Sequence, residues 1–193
     1  MLEIACIPLR MIYEALKTVQ NSLNHYLRTR FALSKDKVQL SGIIDTEGAS
    51  PTEDRDKIAI SLINLQQEKN IQRSPTAPGL RPPFHLNLFL LFSVYFGEDG
   101  SYEESLKELS AIISFFQANA VMNHQNTPEL DAQIDKLVFE FVNQDMQSLN
   151  YIWGMLGGKY VPSALYKVRM ITIDEGIALE FPVPFTGFGS NAQ

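Results

Sequence analysis

The histidines are the residues of this sequence that could most readily bind a metal or transfer a proton. His25, His85 and His124 lie far apart along the chain, and none of them belongs to a zinc-ligand spacing. His25 falls within an amphipathic helical pattern, His85 opens a strand-like run, and His124 lies in the polar segment NHQN. We interpret each as a surface or structural histidine, so the pattern predicts no metal site.

Carboxylates are the second group with catalytic potential. Glu103, Glu104 and Glu108 could act as general acids or bases, but their spacing places them on the polar face of a helix, where we expect them to be solvated. Residues 97–100 (GEDG) lack the further oxygen ligands of a cation loop. The sequence also contains no nucleophile elbow, Walker loop or dinucleotide fingerprint. It therefore predicts no catalytic residue, cofactor or metal, and a protein that is not an enzyme.

Composition limits the possible partners. The 193 residues carry 16 basic and 22 acidic side chains, a formal charge of −6 without a basic cluster, which argues against nucleic-acid binding. The single cysteine, Cys6, has apolar neighbours and is interpreted as a small hydrophobic residue of a cytoplasmic protein. The most apolar run, 84–96, is shorter than the roughly 20 residues of a membrane helix, so we expect a soluble chain.

Hydrophobic periodicity predicts an α+β fold, with a mixed, largely antiparallel sheet of about five to six strands packed with three helices. The first predicted helix covers 11–33. The second begins after Ser101 as its N-cap, and the third begins after Asn143 as its N-cap and ends at Gly157-Gly158. Predicted strands cover 37–43, 57–66, 84–96, 136–142, 164–174 and 177–181, the last two as a hairpin. Residues 11–182 would form one domain, after an extension at 1–10 and before a tail at 183–193.

Side-chain spacing also assigns faces within these elements. The polar face of the first helix is predicted to hold Lys17, Gln20, Asn21, Asn24 and Arg28. Arg28, Arg30, Lys35 and Lys37 are interpreted as a solvated helix end. Core spacing is assigned to Phe115, Phe116, Phe139, Phe141 and Trp153. In the strand 164–174, Lys167 and Arg169 share one face, opposite Tyr166, Val168 and Met170.

Two segments cannot build a core of their own. Residues 72–83 (QRSPTAPGLRPP) hold four prolines, and the tail holds Phe185 and Phe188 between proline and glycine residues. We expect both segments to serve assembly. Two alternatives stay open: the loop could be a surface loop without a binding role, and the tail could fold back on its own subunit. The candidate interface residues are Phe185, Phe188, Arg81, Lys167 and Arg169.

Four stretches, taken in order, resemble a known family: MIYEALKTVQNSLNHYL, PPFHLNLFLLFSVYF, SYEESLKELSAIISFFQANAV and LNYIWGMLGGKYVPSALYKVRMITID. The family is that of the cap, or tail-terminator, proteins of phage-tail-like contractile injection systems, the antifeeding prophage and virulence-cassette particles among them. The resemblance covers about residues 11–175. Its most specific part comprises Trp153, Gly157, Gly158, Lys159, Tyr160, Pro162, Ser163, Tyr166 and Arg169.

The resemblance implies a ring, usually a hexamer, that closes the inner tube and sheath at the end distal to the baseplate. The implied partners are further copies of the chain and the tube and sheath proteins, and the family has no catalytic residues to carry over. Two alternatives stay open: an adaptor or joining protein of a phage tail or injection particle, and an enzyme whose site forms between subunits. Under the enzyme alternative, a catalytic role stays open for Lys159, Tyr160 and Arg169.

Overall fold

The structure, a computed structural model, describes residues 11–42, 56–68, 85–96, 101–155 and 160–172. Within these ranges the chain forms three helices and six strands, which confirms the predicted α+β class. In chain order they are α1 Met11–Phe31, β1 Val38–Leu40, β2 Lys57–Gln67, β3 His85–Tyr95, α2 Tyr102–Ala118, β4 Val121–Asn123, β5 Ile134–Phe141, α3 Met146–Met155 and β6 Ser163–Thr172. None of the described helices is long and apolar enough to cross a membrane.

The six strands form one sheet in the order β1-β2-β3-β6-β5-β4. Only the β1/β2 pair is parallel, so the sheet is mixed and largely antiparallel, as predicted. β6 lies in the interior, with β3 along one edge and β5 along the other. Residues 177–181, predicted to form a hairpin with β6, lie outside the described ranges.

The sheet face that packs against α1 and α2, called here the α1/α2 face, holds the main core. α1 contributes Ala15, Val19, Leu23 and Leu27, all nearly inaccessible to solvent, at the spacing of one helical face. A second, smaller cluster lies on the opposite face under α3, where Trp153 packs with Leu91 and Leu165. Because it faces both clusters, β3 is buried on both sides, as its apolar run predicts.

Asn24 corrects the expected polar face of α1. Its side chain is buried and binds the edge strand β1: Oδ1 accepts hydrogen bonds from the backbone N–H groups of Lys37 and Val38, at 3.1 and 2.9 Å, and Nδ2 donates to the Val38 carbonyl at 3.1 Å. Gln20 Nε2 donates to the same carbonyl at 2.8 Å. An amide side chain suits this position because it carries both a donor and an acceptor.

α2 begins as predicted, with Ser101 as N-cap, whose hydroxyl accepts the Glu103 N–H at 3.0 Å. Glu108 does not lie on a solvated face. It is buried, and its carboxylate lies 2.7 Å from the Lys37 ammonium, which also contacts Asp56 at 2.8 Å. Burial lowers the pKa of Lys37, but hydrogen bonds and charge interactions with Asp56 and Glu108 outweigh it, so the pKa is raised overall. Lys37 is therefore part of an ion pair that links β1 to α2, and is not a solvated helix end.

β4 was not predicted from the sequence. It is three residues long and pairs with β5 through Val121↔Val138 and Asn123↔Lys136. The turn that follows is held by side-chain amides, with Asn126 Nδ2 donating to the Val121 carbonyl at 2.7 Å and Asn126 Oδ1 accepting from the Asn123 N–H at 2.8 Å. A strand this short leaves no alternation in the sequence to detect.

Candidate assembly surface

One end of the sheet, called here the α3 end, gathers several chain segments. β3 ends there, β5 ends there and β6 begins there, as the pairs Ser93↔Ser163 and Phe141↔Tyr166 show. α3 connects the end of β5 to the start of β6. The opposite end of the sheet is where β6 finishes, with Thr172 opposite Ile134.

Asp145 starts α3, not Asn143 as predicted. The Asp145 carboxylate accepts the Ser148 N–H at 2.7 Å and the Asp145 carbonyl accepts the Leu149 N–H at 3.0 Å. The backbone hydrogen bond from Ser148 is the main cause that lowers the pKa of Asp145. The helix is thereby fixed with Trp153 facing the sheet.

The outward side of α3 is uncharged and rich in large apolar side chains. The helix contains no acidic or basic residue, yet Trp153 is its only buried one. Tyr151 and Met155 are 65% and 72% exposed, Met146 is 81% exposed, and Tyr160, whose ring lies 5.8 Å from that of Trp153, is 60% exposed. Tyr and Met without charge are the composition found in the centres of protein interfaces.

The exposed apolar residues concentrate at this end. Of the twelve large hydrophobic residues exposed among the described ones, eight belong to segments that enter or leave the α3 end. We call this set the α3-end surface: Phe96, Tyr102, Leu106, Phe141, Met146, Tyr151, Met155 and Tyr160. A concentration of this kind marks an interaction site more often than scattered exposed residues do.

An aromatic groove lies beside the α3-end surface, between the C-terminal half of α2 and β5. It has a volume of about 480 Å³ and is lined by Ile113, Phe116, Gln117, Ala120, Phe139, Phe141 and Tyr166. Phe141 was predicted to be a core residue but is 51% exposed, because it ends β5 at the open rim of this groove. Below it lies Tyr166, whose pKa burial raises to about 12.

The predicted interface residues Lys167 and Arg169 lie together on the α3 side of the sheet. Arg169 Nη2 is 3.2 Å from Glu140 Oε1, and Lys167 Nζ is 3.6 Å from Glu140 Oε2. Arg169 Nε lies 3.8 Å from Glu68 Oε2. Two cations and two carboxylates balance each other, so this patch offers no net charge to a partner. The other three predicted interface residues, Arg81, Phe185 and Phe188, lie outside the described residues.

His85 and Asn87 extend this charged patch along β3. Asn87 Nδ2 donates to Glu68 Oε2 at 3.1 Å, while Asn87 Oδ1 and His85 Nδ1 are buried without a hydrogen-bond partner. Burial is the main cause that lowers the pKa of His85; Arg169 adds to this effect and Glu68 opposes it. His25 and His124 are exposed, and the described residues hold no group of three or more His, Cys, Asp or Glu side chains suited to a metal.

A larger and more polar cleft of about 670 Å³ lies along α1, lined among others by Asn21, His25, Asn119 and Glu129. Arg28, also in its wall, is 3.5 Å from Asp36. Of the predicted interface residues that the structure describes, neither Lys167 nor Arg169 lines this cleft. The α3-end surface was therefore not predicted from the sequence. The one sequence feature that could have indicated it is the absence of charged residues from Met146–Met155.

Comparison with known proteins places the chain in a family. The sequence profile of the Pvc16 N-terminal domain matches residues 15–186. The chain belongs to this family. No curated protein matches the chain significantly. The matched range includes all of the segment 149–174 on which the resemblance was chiefly based, and that resemblance is confirmed.

Two solved structures are similar to this chain, and the first of them, with a TM-score above 0.5, shares the fold. One is the cryo-EM structure of the sheath/tube terminator of PVC, an extracellular contractile injection system, in the extended state: 15% identity, a TM-score of 0.58, and coverage of 94% of this chain and 63% of that chain. Another is the cryo-EM structure of the tube-terminating cap of the anti-feeding prophage: 15% identity, a TM-score of 0.49, and coverage of 90% and 60%. The chain therefore spans less than two thirds of the length of either protein.

Proposed function

We propose that the chain is a structural cap subunit, which terminates the tube and sheath at the baseplate-distal end of a contractile injection system as a ring of identical subunits. The observation that carries the proposal is membership of the Pvc16 N-terminal domain family over residues 15–186. The fold shared with the PVC sheath/tube terminator over 94% of this chain supports it.

The geometry of the α3 end also supports a role in assembly. Tyr151 and Met155 are large and more than half exposed on a helix without charge, and Tyr160 is exposed beside it. Aromatic and methionine side chains contribute strongly to binding once a partner excludes water from them. The partners in this proposal are other copies of the chain, which together form a ring of most often six subunits. The tube and sheath proteins are the further partners.

The charged groups of the described residues support a structural role over a catalytic one. Glu108, the buried carboxylate of α2, is held by Lys37, and Glu140 is held by Lys167 and Arg169. Such pairs stabilise a subunit and its contacts. The domain would comprise residues 11–182, with 1–10 as an extension and 183–193 as a tail, and the subunit would assemble into its particle in the bacterial cytoplasm.

Electron microscopy of particles from a strain that lacks this gene tests the proposal. We expect particles without a defined baseplate-distal end, with tubes of irregular length, and restoration by the gene supplied in trans. Particles of normal length with unchanged density at the distal end would contradict a cap role. Density lost at a junction within the particle would instead indicate an adaptor.

Ring formation needs its own measurement. Native mass spectrometry of the purified protein, with and without tube protein, should show a closed oligomer, most often of six subunits. A strict monomer under both conditions, with no added density at tube ends, would refute the ring.

A further inference from the structure

The aromatic groove is built to receive a large apolar side chain. Its floor consists of Phe116, Phe139 and Tyr166, which are at most 6% exposed, whereas Phe141 on the rim is 51% exposed. The Phe116 ring lies 4.7 Å from both Phe139 and Tyr166, and Phe141 meets Tyr166 edge-on at 5.4 Å. Its volume of about 480 Å³ falls within the roughly 300–1,000 Å³ of ligand pockets.

The chemistry of the groove matches the end of this sequence. None of the described residues that line the groove is charged, so they offer no partner to a charged occupant, which would lose its hydration there. Residues 181–193 (FPVPFTGFGSNAQ) also carry no charge, and they include Phe185 and Phe188. Aromatic pairs contribute about 0.5–1.5 kcal/mol beyond the burial of their area, which favours phenylalanine in this groove.

The direction of β6 separates the groove from Thr172, the last described residue of the chain. Tyr166 lies at the groove, and β6 then runs away from it to Thr172 at the opposite end of the sheet. From Thr172 to Phe185 there are 185 − 172 = 13 residues, which span at most about 45 Å. This length allows Phe185 to meet a groove on its own subunit or on a neighbour, and the ring proposed above favours the neighbour.

We infer that Phe185 and Phe188 of one copy insert into the aromatic groove of the next copy. This inference rests on the ring that we propose above. Thr172, the last described residue before the donor segment, lies at one end of the sheet and the receiving groove lies at the other, so in this proposal the contact joins two different surfaces. A head-to-tail contact of this kind is what a closed ring of identical subunits requires.

Cross-linking between two variants tests the contact directly. In a Cys6→Ser background, one chain carries Gln117→Cys at the groove and the other carries Thr186→Cys between the two phenylalanines; both are expressed together in particle-producing cells. A short bismaleimide should link them into a product of twice the chain mass. As a matched control, Gln147→Cys on α3 replaces Gln117→Cys and should give no such product.

The other outcomes overturn the inference. A single chain that carries both cysteines and links only internally would show that the tail occupies its own groove. No link in caps that are present on particles would show that the groove has a different occupant. If the chain is absent from purified particles, the proposed function itself fails, and the two failures are thereby distinguished.

Substitutions give a second and independent readout. Phe185→Ser with Phe188→Ser, and separately Phe141→Ala at the rim, should each reduce the fraction of closed rings at least tenfold and leave the melting temperature within a few degrees. Tyr13→Ala removes an aromatic residue of similar exposure, 54%, that does not line the groove, and should leave ring formation unchanged. Equal behaviour of Phe141→Ala and Tyr13→Ala would contradict a specific role of the groove.

Discussion

Asn24 holds β1 against α1 through three hydrogen bonds, with the N–H groups of Lys37 and Val38 and the carbonyl of Val38. Asn24→Ala leaves two buried N–H donors without an acceptor. Because an unsatisfied buried polar group costs about 1–3 kcal/mol, we expect the free energy of unfolding to fall by about 2–3 kcal/mol. Urea denaturation followed by circular dichroism measures this change.

Asn21→Ala provides the control for that experiment. Asn21 is exposed on the same helix, so its loss should change the free energy of unfolding by less than about 0.5 kcal/mol. If both variants unfold at the same urea concentration, Asn24 does not hold the edge strand.

His85 should make the stability of the protein depend on pH. Its pKa in the folded chain lies below the ordinary value of 6.5, so below about pH 6.5 the unfolded chain takes up a proton that the folded chain resists. Stability is therefore greatest above this pH and falls as the solution becomes more acidic. His85→Gln should lose less stability than the wild type between about pH 7 and pH 5.

Melting temperatures measured across this pH range check the effect of His85. His25→Gln, a change at an exposed histidine of α1, should follow the wild-type profile. Parallel profiles of the wild type and His85→Gln would show that the lowered pKa does not contribute to folding.

For single residues, the alternation of side chains along a strand correctly predicted that Lys167 and Arg169 share a face, because side chains two residues apart on a strand point to the same side. The burial of Asn24 and Glu108 could not be predicted in the same way. Both are polar residues in a helical pattern, where solvent exposure is the usual outcome. What buries them is a neighbouring strand: the backbone of β1 needs the Asn24 amide, and Lys37 beside it pairs with Glu108.

Of the three described helices, α3 buries the fewest side chains and exposes the most large apolar ones. We expect Tyr151→Ser with Met155→Ser to reduce ring formation or particle capping strongly, because both side chains are exposed and uncharged neighbours surround them. The melting temperature should change by no more than a few degrees, since Trp153 still packs on the sheet. Native mass spectrometry and thermal unfolding measure the two effects.

Gln147→Ser with Asn150→Ser is the matched control on the same helix. These side chains are exposed and polar, so neither the fold nor the assembly should depend on them. If the control pair abolishes assembly as well, the helix itself matters and its apolar side chains do not account for the effect.

The long elements followed from the sequence because their hydrophobic periods are clear. The first helix was expected at 11–33 and spans Met11–Phe31, and the strand expected at 84–96 spans His85–Tyr95. The start of α3 was misplaced by two residues, since Asn143 and Asp145 are equally good caps and only the backbone geometry distinguishes them. Phe141 fitted the core period of β5, but the helix that would cover it ends short of the strand's last residue.

For the whole molecule, the class and the approximate number of strands were predictable, and the order of the strands was not. Consecutive strands are usually neighbours, which favoured a hairpin after β6. In the described sheet β6 lies between β3 and β5, and each β3/β6 pair joins residues that are seventy or more positions apart (Ser93↔Ser163, 163 − 93 = 70). Nothing local in either strand specifies such a partner; it depends on which edges are still free when the rest of the sheet has formed.

The last prediction concerns the effect of deleting residues 183–193 on stability and assembly. The described residues alone supply two hydrophobic clusters, so we expect the truncated protein to melt within a few degrees of the wild type. It should nevertheless lose ring formation or particle capping, because Phe185 and Phe188 are no longer present to fill a neighbour's groove. A variant in which 183–193 is replaced by a Gly-Ser segment of equal length controls for chain length and should behave like the truncation. A sharp fall in the melting temperature of a protein that was already monomeric would show the opposite: the tail would then pack on its own subunit as part of the core.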